Sequence, residues 1–174
     1  MVASIDFTFK EWECVCKAPV MVATTSMMIG PARTCKMTAM AFTPLLVLNE
    51  TSTCFPKNEC IQGVMATLRK PKEVAERAGW NDNPYTQTLA DAALRGREPA
   101  IPERNAWSKK AITILQQKGQ SQELKEYKLW LLLIASTVME QEKSHGFLGL
   151  RKNASKVELA QTVLDFALVL LLAE

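Results

Sequence analysis

Sulfur and imidazole carry the reactive potential of this chain. It holds five cysteines and one histidine, His145. Cys14 and Cys16 are separated by a single residue, while Cys35, Cys54 and Cys60 are scattered. Structural zinc sites repeat Cys-x2–4-Cys pairs at a set distance. A one-residue spacing on a helix instead points two sulfurs roughly 200° apart. Cys54 and Cys60 have Pro56 between them and form no familiar ligand pair. An odd number of cysteines cannot pair completely within one chain, so the expectation is free, buried thiols. A lone histidine needs a nucleophile and an orienting carboxylate to act as a base, and Glu140 and Glu142 stand in no such frame. HExxH chemistry is excluded within one subunit because it needs a second histidine.

Phosphate and acyl chemistry fare no better. No Walker A sequence, no G-x-G-x-x-G after a strand and no G-x-S-x-G elbow occurs. Gly146-Phe147-Leu148-Gly149 spaces two glycines around side chains that want burial, which suits an interhelical turn. The basic excess lies in the middle third. Residues 56–120 carry eleven basic and seven acidic side chains, against four and four before them and six and seven after. Arg69, Lys70, Lys72, Arg77, Arg95, Arg97, Arg104, Lys109 and Lys110, with Trp80, Tyr85 and Trp107 among them, could touch phosphate or stack on bases. Glu73, Glu76, Asp82, Asp91, Glu98 and Glu103 interrupt them, so an ordinary solvated face is the preferred reading.

The elements that must hold these residues read as helices. At 174 residues, 48% hydrophobic and 22% charged, the chain is sized for one globular domain. Thr8 and Glu11 form a capping box opening a helix with Phe9, Trp12, Val15 and Cys16 inward. Pro19 is expected to end or kink it. Residues 20–29 are ambiguous between strand and helix. Residues 34–48 form an apolar block interrupted by Pro44, and residues 49–53 read as a loop of backbone-competing side chains. Pro56 opens a helix with Ile61, Val64, Met65 and Leu68 on one face. Residues 80–103 look like an exposed connection. Pro102 starts a helix with Trp107, Ala111, Ile112, Ile114 and Leu115 apolar.

Residues 121–174 make a helical hairpin. Leu124, Tyr127, Leu131, Ile134 and Val138 recur at helical spacing, and the unbroken apolar run 129–135 predicts a helix surrounded on most sides. Ser155 and Glu158 cap the last helix, with Leu159, Ala160, Val163, Leu164, Ala167, Leu168 and Leu171 expected inward. No span is long and apolar enough for a bilayer, and the N-terminus carries no basic-then-apolar leader. The glycosylation triplets at Asn49 and Asn153 therefore carry no meaning. A soluble cytoplasmic protein is expected.

The hairpin resembles small, uncharacterised, all-helical bacterial proteins with a Gly-Phe-Leu-Gly turn before the last helix. The residues are 127–132 (Tyr-Lys-Leu-Trp-Leu-Leu), Gly146 to Gly149, Ser155 and Glu158, with Trp12, Ala18 and Pro19 in the first helix. Leu150 to Asn153 depart from the glycines that follow the turn in that pattern. The resemblance implies an all-helical fold and offers no activity to carry over.

The fold expected is all-α: one compact domain over residues 1–174, about seven helices, centred on the C-terminal hairpin. The function expected is non-catalytic, binding a protein partner as an assembly, adaptor or stress-response factor, with no cofactor. Met27, Met28, Met37 and Met40, from a chain of eight methionines, are the candidate partner contacts, because methionine adapts to varied surfaces. Association with a second copy is left open. The alternatives are a thiol- or metal-dependent redox protein using Cys14, Cys16 and His145, and a membrane-surface or nucleic-acid binder using the basic middle segment.

Overall fold

The computed structural model describes residues 7–29, 37–69, 97–118, 121–144 and 156–173, with side chains over 7–27, 44–69, 101–118, 121–140 and 160–173. Among these residues there are six helices and no strand. They are α1 (Phe9–Ile29), α2 (Met37–Ser52), α3 (Glu59–Leu68), α4 (Arg97–Gln117), α5 (Ser121–Ser144) and α6 (Lys156–Leu171). The all-α class is as expected, and six of the roughly seven helices predicted lie among the described residues. The glycine turn at 146–149, His145 and Ser155 lie outside the described residues.

α1 starts where its sequence says. The Thr8 amide donates to Glu11 Oε2 (2.7 Å) and the Glu11 amide to Thr8 Oγ1 (3.3 Å). Phe7, just ahead of the cap, meets Trp12 with ring centroids 5.2 Å apart, a hydrophobic staple. Phe9, expected inward, is instead about half exposed, at 48%.

Pro19 does not end this helix, which runs on through residues 20–29. Proline's missing amide deprives the carbonyl four residues back, that of Val15, of its helical donor. Tyr127 of α5 fills the vacancy, its hydroxyl donating to Val15 O at 2.7 Å. An orphaned buried carbonyl is thus satisfied from across the core.

α2 likewise passes through Pro44 and absorbs most of the segment expected to be a loop. The competing hydroxyls turn back onto their own helix: Thr51 Oγ1 donates to Val47 O (2.7 Å), Ser52 Oγ to Asn49 O (2.8 Å) and Thr53 Oγ1 to Glu50 O (2.6 Å). Gln62 closes the connection by donating to the Ser52 and Phe55 carbonyls, both at 3.1 Å. α3 begins at Glu59, three residues beyond Pro56, because Asn58 is its cap: Asn58 Oδ1 accepts from the Ile61 amide at 2.9 Å. Pro102 lies inside α4, so residues 97–103 of the expected connection are helical; residues 80–96 lie outside the described set.

The core gathers around α1, which packs on α2, α3, α4 and α5. From Cys14 to Met27 its side chains are buried, Lys17 excepted. α5 is the second hub, packing on α1, α2, α3, α4 and α6. Trp130, Leu131, Ile134 and Ala135 are buried within its apolar run, while Leu129 is 56% exposed. α6 packs on α4 and α5 and is peripheral, so the hairpin supplies one of the two central helices rather than the centre itself. No described helix is long and apolar enough to cross a membrane.

Candidate functional site

α6 is apolar on nearly all sides, and a peripheral helix can bury only one of them. Phe166 and Leu170 are fully buried, with Val169 and Ala173 packed partly against the same core and Val163 against Met139. Leu164, Leu168, Leu171 and Leu172 are 58%, 55%, 64% and 79% exposed. Of the face expected inward, Val163 and Ala167 are half-buried while Ala160, Leu164, Leu168 and Leu171 are exposed, so that face is rotated by roughly a quarter turn from the buried arc. The reason is Phe166: the largest side chain of the helix takes the core side, and the leucines on the other side go to solvent.

These leucines form an ordered stripe. At roughly 100° per residue, Leu164, Leu168 and Leu171 fall within about 60° of one another. Their spacing of four then three is that of a coiled-coil seam. Gln161 and Asp165 edge the stripe and pair with each other, Gln161 Nε2 donating to Asp165 Oδ1 at 2.8 Å. Lys128 of α5 reaches the Ala173 carbonyl at 3.5 Å, a cation at the negative end of the α6 dipole. The helix is thereby held at its end while its leucine edge stays uncovered.

The residues expected to act fall elsewhere. Met27 is 7% exposed and belongs to the core, so it offers no surface for a partner. The side chains of Met28, Met37 and Met40 lie outside the described residues. Cys14, Cys16 and Cys60 are buried and Cys54 is exposed, none of them in a disulfide; Cys35 lies outside the description. Cys14 and Cys16 are both buried although they face apart, because α1 is enclosed on every side. Burial, and then the nearby Glu123 charge, push the Cys60 thiol far above its ordinary range, which keeps it protonated and unreactive. Among the described residues no group of three or more His, Cys, Asp or Glu is arranged to hold a metal.

Of the basic middle segment, Arg69, Lys109 and Lys110 are exposed, but Arg104 is buried at 2% exposure. Trp107, expected as a stacking platform, already has Lys17 and Lys110 ammonium groups 5.2 Å and 5.5 Å from its ring centroid. Arg77, Trp80, Tyr85 and Arg95 lie outside the described residues.

One polar cluster is well built and structural. Asn58 Nδ2 donates to Glu123 O (3.2 Å) and Glu126 Oε2 (2.9 Å), tying the start of α3 to the first turns of α5. Glu123 is raised above the ordinary carboxylate range chiefly by burial, against the amides of Glu59 and Cys60, which lower it. Glu126 is lowered by the hydrogen bonds from Asn58 and Gln122. Glu126 is thus occupied by two side-chain donors, while Glu123 Oε2 is buried with no hydrogen-bond partner among the described residues.

Comparison with protein-family models, curated proteins and solved structures finds no significant match to this chain. The leucine edge of α6 is an exposed apolar row that the described core does not cover.

Proposed function

We propose that this chain is a non-catalytic, cytoplasmic helical protein whose α6 edge receives an amphipathic helix of a protein partner. The observation that carries this reading is the exposed row Leu164, Leu168, Leu171 and Leu172. Its four-then-three spacing is the one a facing helix interlocks with. Exposed leucines arranged in a contiguous stripe, unlike scattered ones, mark interaction sites. The fixed position of α6 against α4 and α5 means that the edge needs no rearrangement to bind. Met28, Met37 and Met40 stand as a second contact region on the same reading.

The test uses a photo-crosslinkable residue at position 168 in the intact protein, with position 110 as the control face. A single protein captured at 168 and not at 110, then purified and titrated, is expected to lose at least tenfold in affinity to Leu168→Glu. The melting temperature should stay unchanged in that variant. Equal affinity of Leu168→Glu for the purified partner would overturn the reading. Loss of binding only in Met37→Asp/Met40→Asp would move the site to α2. A dimer in sedimentation that Leu168→Glu dissolves would make the occupant a second copy of this chain.

A further inference from the structure

Arg104 is the only charged side chain among the described residues that is buried, and its chemistry is not spent. Two of the five N–H donors of a guanidinium go to a neutral acceptor, Asn105 Oδ1, from Nε at 3.0 Å and Nη2 at 2.9 Å. The Phe166 ring covers one face of the plane, 4.2 Å from its centroid to the guanidinium carbon. No carboxylate lies within ion-pair reach of Arg104 among the described residues. Asp165 is close enough to act on it electrostatically, but its carboxylate accepts from Gln161.

One turn further along α4, Ser108 is fully buried and its hydroxyl has no hydrogen-bond partner among the described residues. Positions four apart share a helix face, and side chains lean toward the N-terminus. Ser108 therefore shares the face of α4 that carries Arg104, one turn on. The hydroxyl even forgoes the carbonyl of its own helix, the usual refuge of a buried serine.

Burial lowers the Arg104 pKa to about 10, opposed by Asp165, so the group stays charged at neutral pH. Among the described residues the close contacts of this buried cation are an amide oxygen and an aromatic ring, with Asp165 acting from further off, so it is incompletely compensated. What completes it must carry negative charge, offer at least two acceptor oxygens to the guanidinium fork, and be small.

We propose that Arg104 and Ser108, backed by Phe166, form a receptor for one oxyanion group, a phosphate or a carboxylate, entering at the α4–α6 junction. Arg104 grips two oxygens through the N–H groups that Asn105 leaves unused, and Ser108 donates to the anion. Asp165 is the built-in competitor: its charge opposes the anion and sets the affinity.

The experiment is a titration of the full-length protein with sodium phosphate, and separately sodium acetate, at constant ionic strength in chloride. It follows the Arg104 Nε–H resonance, identified by its loss in Arg104→Lys, and the melting temperature. A saturable shift is expected in at least one arm, and the responding arm identifies the oxyanion. A hundredfold excess over Kd should raise the melting temperature by roughly 5–10 °C. Asp165→Asn should tighten Kd severalfold, Ser108→Ala should weaken it severalfold, and Arg104→Met should abolish the saturable component. A melting temperature that climbs without saturation and equally in Arg104→Met, as general salt exclusion gives, overturns the proposal. So does a stationary Nε–H resonance in both arms. Should Arg104→Met fail to fold, an unchanged Kd in both Asp165→Asn and Ser108→Ala overturns it equally.

Discussion

Proline at position 19 sits in the interior of a buried helix, and a single hydroxyl makes that tolerable. Tyr127 donates to the carbonyl that Pro19 leaves unserved, from a ring fully buried and in edge-on contact with Trp130 at 5.9 Å. Tyr127→Phe should cost about 1–3 kcal/mol, the penalty of an unpaired buried acceptor. Pro19→Ala restores an amide donor to Val15 O, so the same tyrosine substitution should cost less in that background. A double-mutant cycle by denaturant unfolding checks this, and strictly additive effects would refute the link. The thiols give a second residue-scale expectation. In a Cys35→Ser background, native protein should show one fast-reacting thiol, Cys54, while Cys14, Cys16 and Cys60 react only on unfolding. A thiol titration with and without denaturant reads it directly, and a second fast thiol would contradict the burial.

At the scale of elements, starts were legible and ends were not. The Thr8–Glu11 box and the Ile61, Val64, Met65, Leu68 face are where their spacing puts them, because caps and apolar periods act within a few residues. The prolines misled because what rescues Val15 O comes from a residue 112 positions away, which no local pattern contains. The α2 end ran past its loop signal for a related reason: Thr51 serves the core, accepting from Trp130 Nε1 at 3.0 Å as well as donating to Val47 O. Asn58 was equally hidden, since a cap that also bridges to Glu126 reads in sequence as one loop asparagine. Its junction has a pH signature. Glu123 is raised in the folded protein, chiefly by burial, with Glu59 and Glu126 adding like charge. In the window above its ordinary value the folded state therefore holds the extra proton, and stability falls as pH rises through it. Glu123→Gln removes that component. The stability difference, wild type minus variant, should thus decline from about pH 4 to pH 7 in urea unfolding; a difference that rises with pH would invert the assignment.

For the whole molecule, the arrangement is two central helices, α1 and α5, with the others laid around them and α6 at the rim. Sequence conveyed the all-helical class, because amphipathic spacing recurs along the chain. It could not convey which face of α6 is inside, since both faces are apolar and only packing against α4 and α5 chooses between them. Arg104 was similarly illegible: flanked by Glu103 and Asn105, it reads as one more solvated charge until tertiary contact puts it under Phe166. The choice of face makes a sharp prediction. Phe166→Ala removes a fully buried ring from the core and one wall from Arg104, so it should destabilise by about 3–5 kcal/mol. Leu164→Ser, Leu168→Ser and Leu171→Ser act on side chains more than half exposed, and each should stay within about 0.5 kcal/mol of wild type. Denaturant midpoints at constant m-value separate the two outcomes. Were any of the three leucines as costly as Phe166, the stripe would be core and α6 would have no edge to offer a partner. If Phe166 alone is costly, those leucines are not needed for folding, which is the premise on which partner binding at α6 stands.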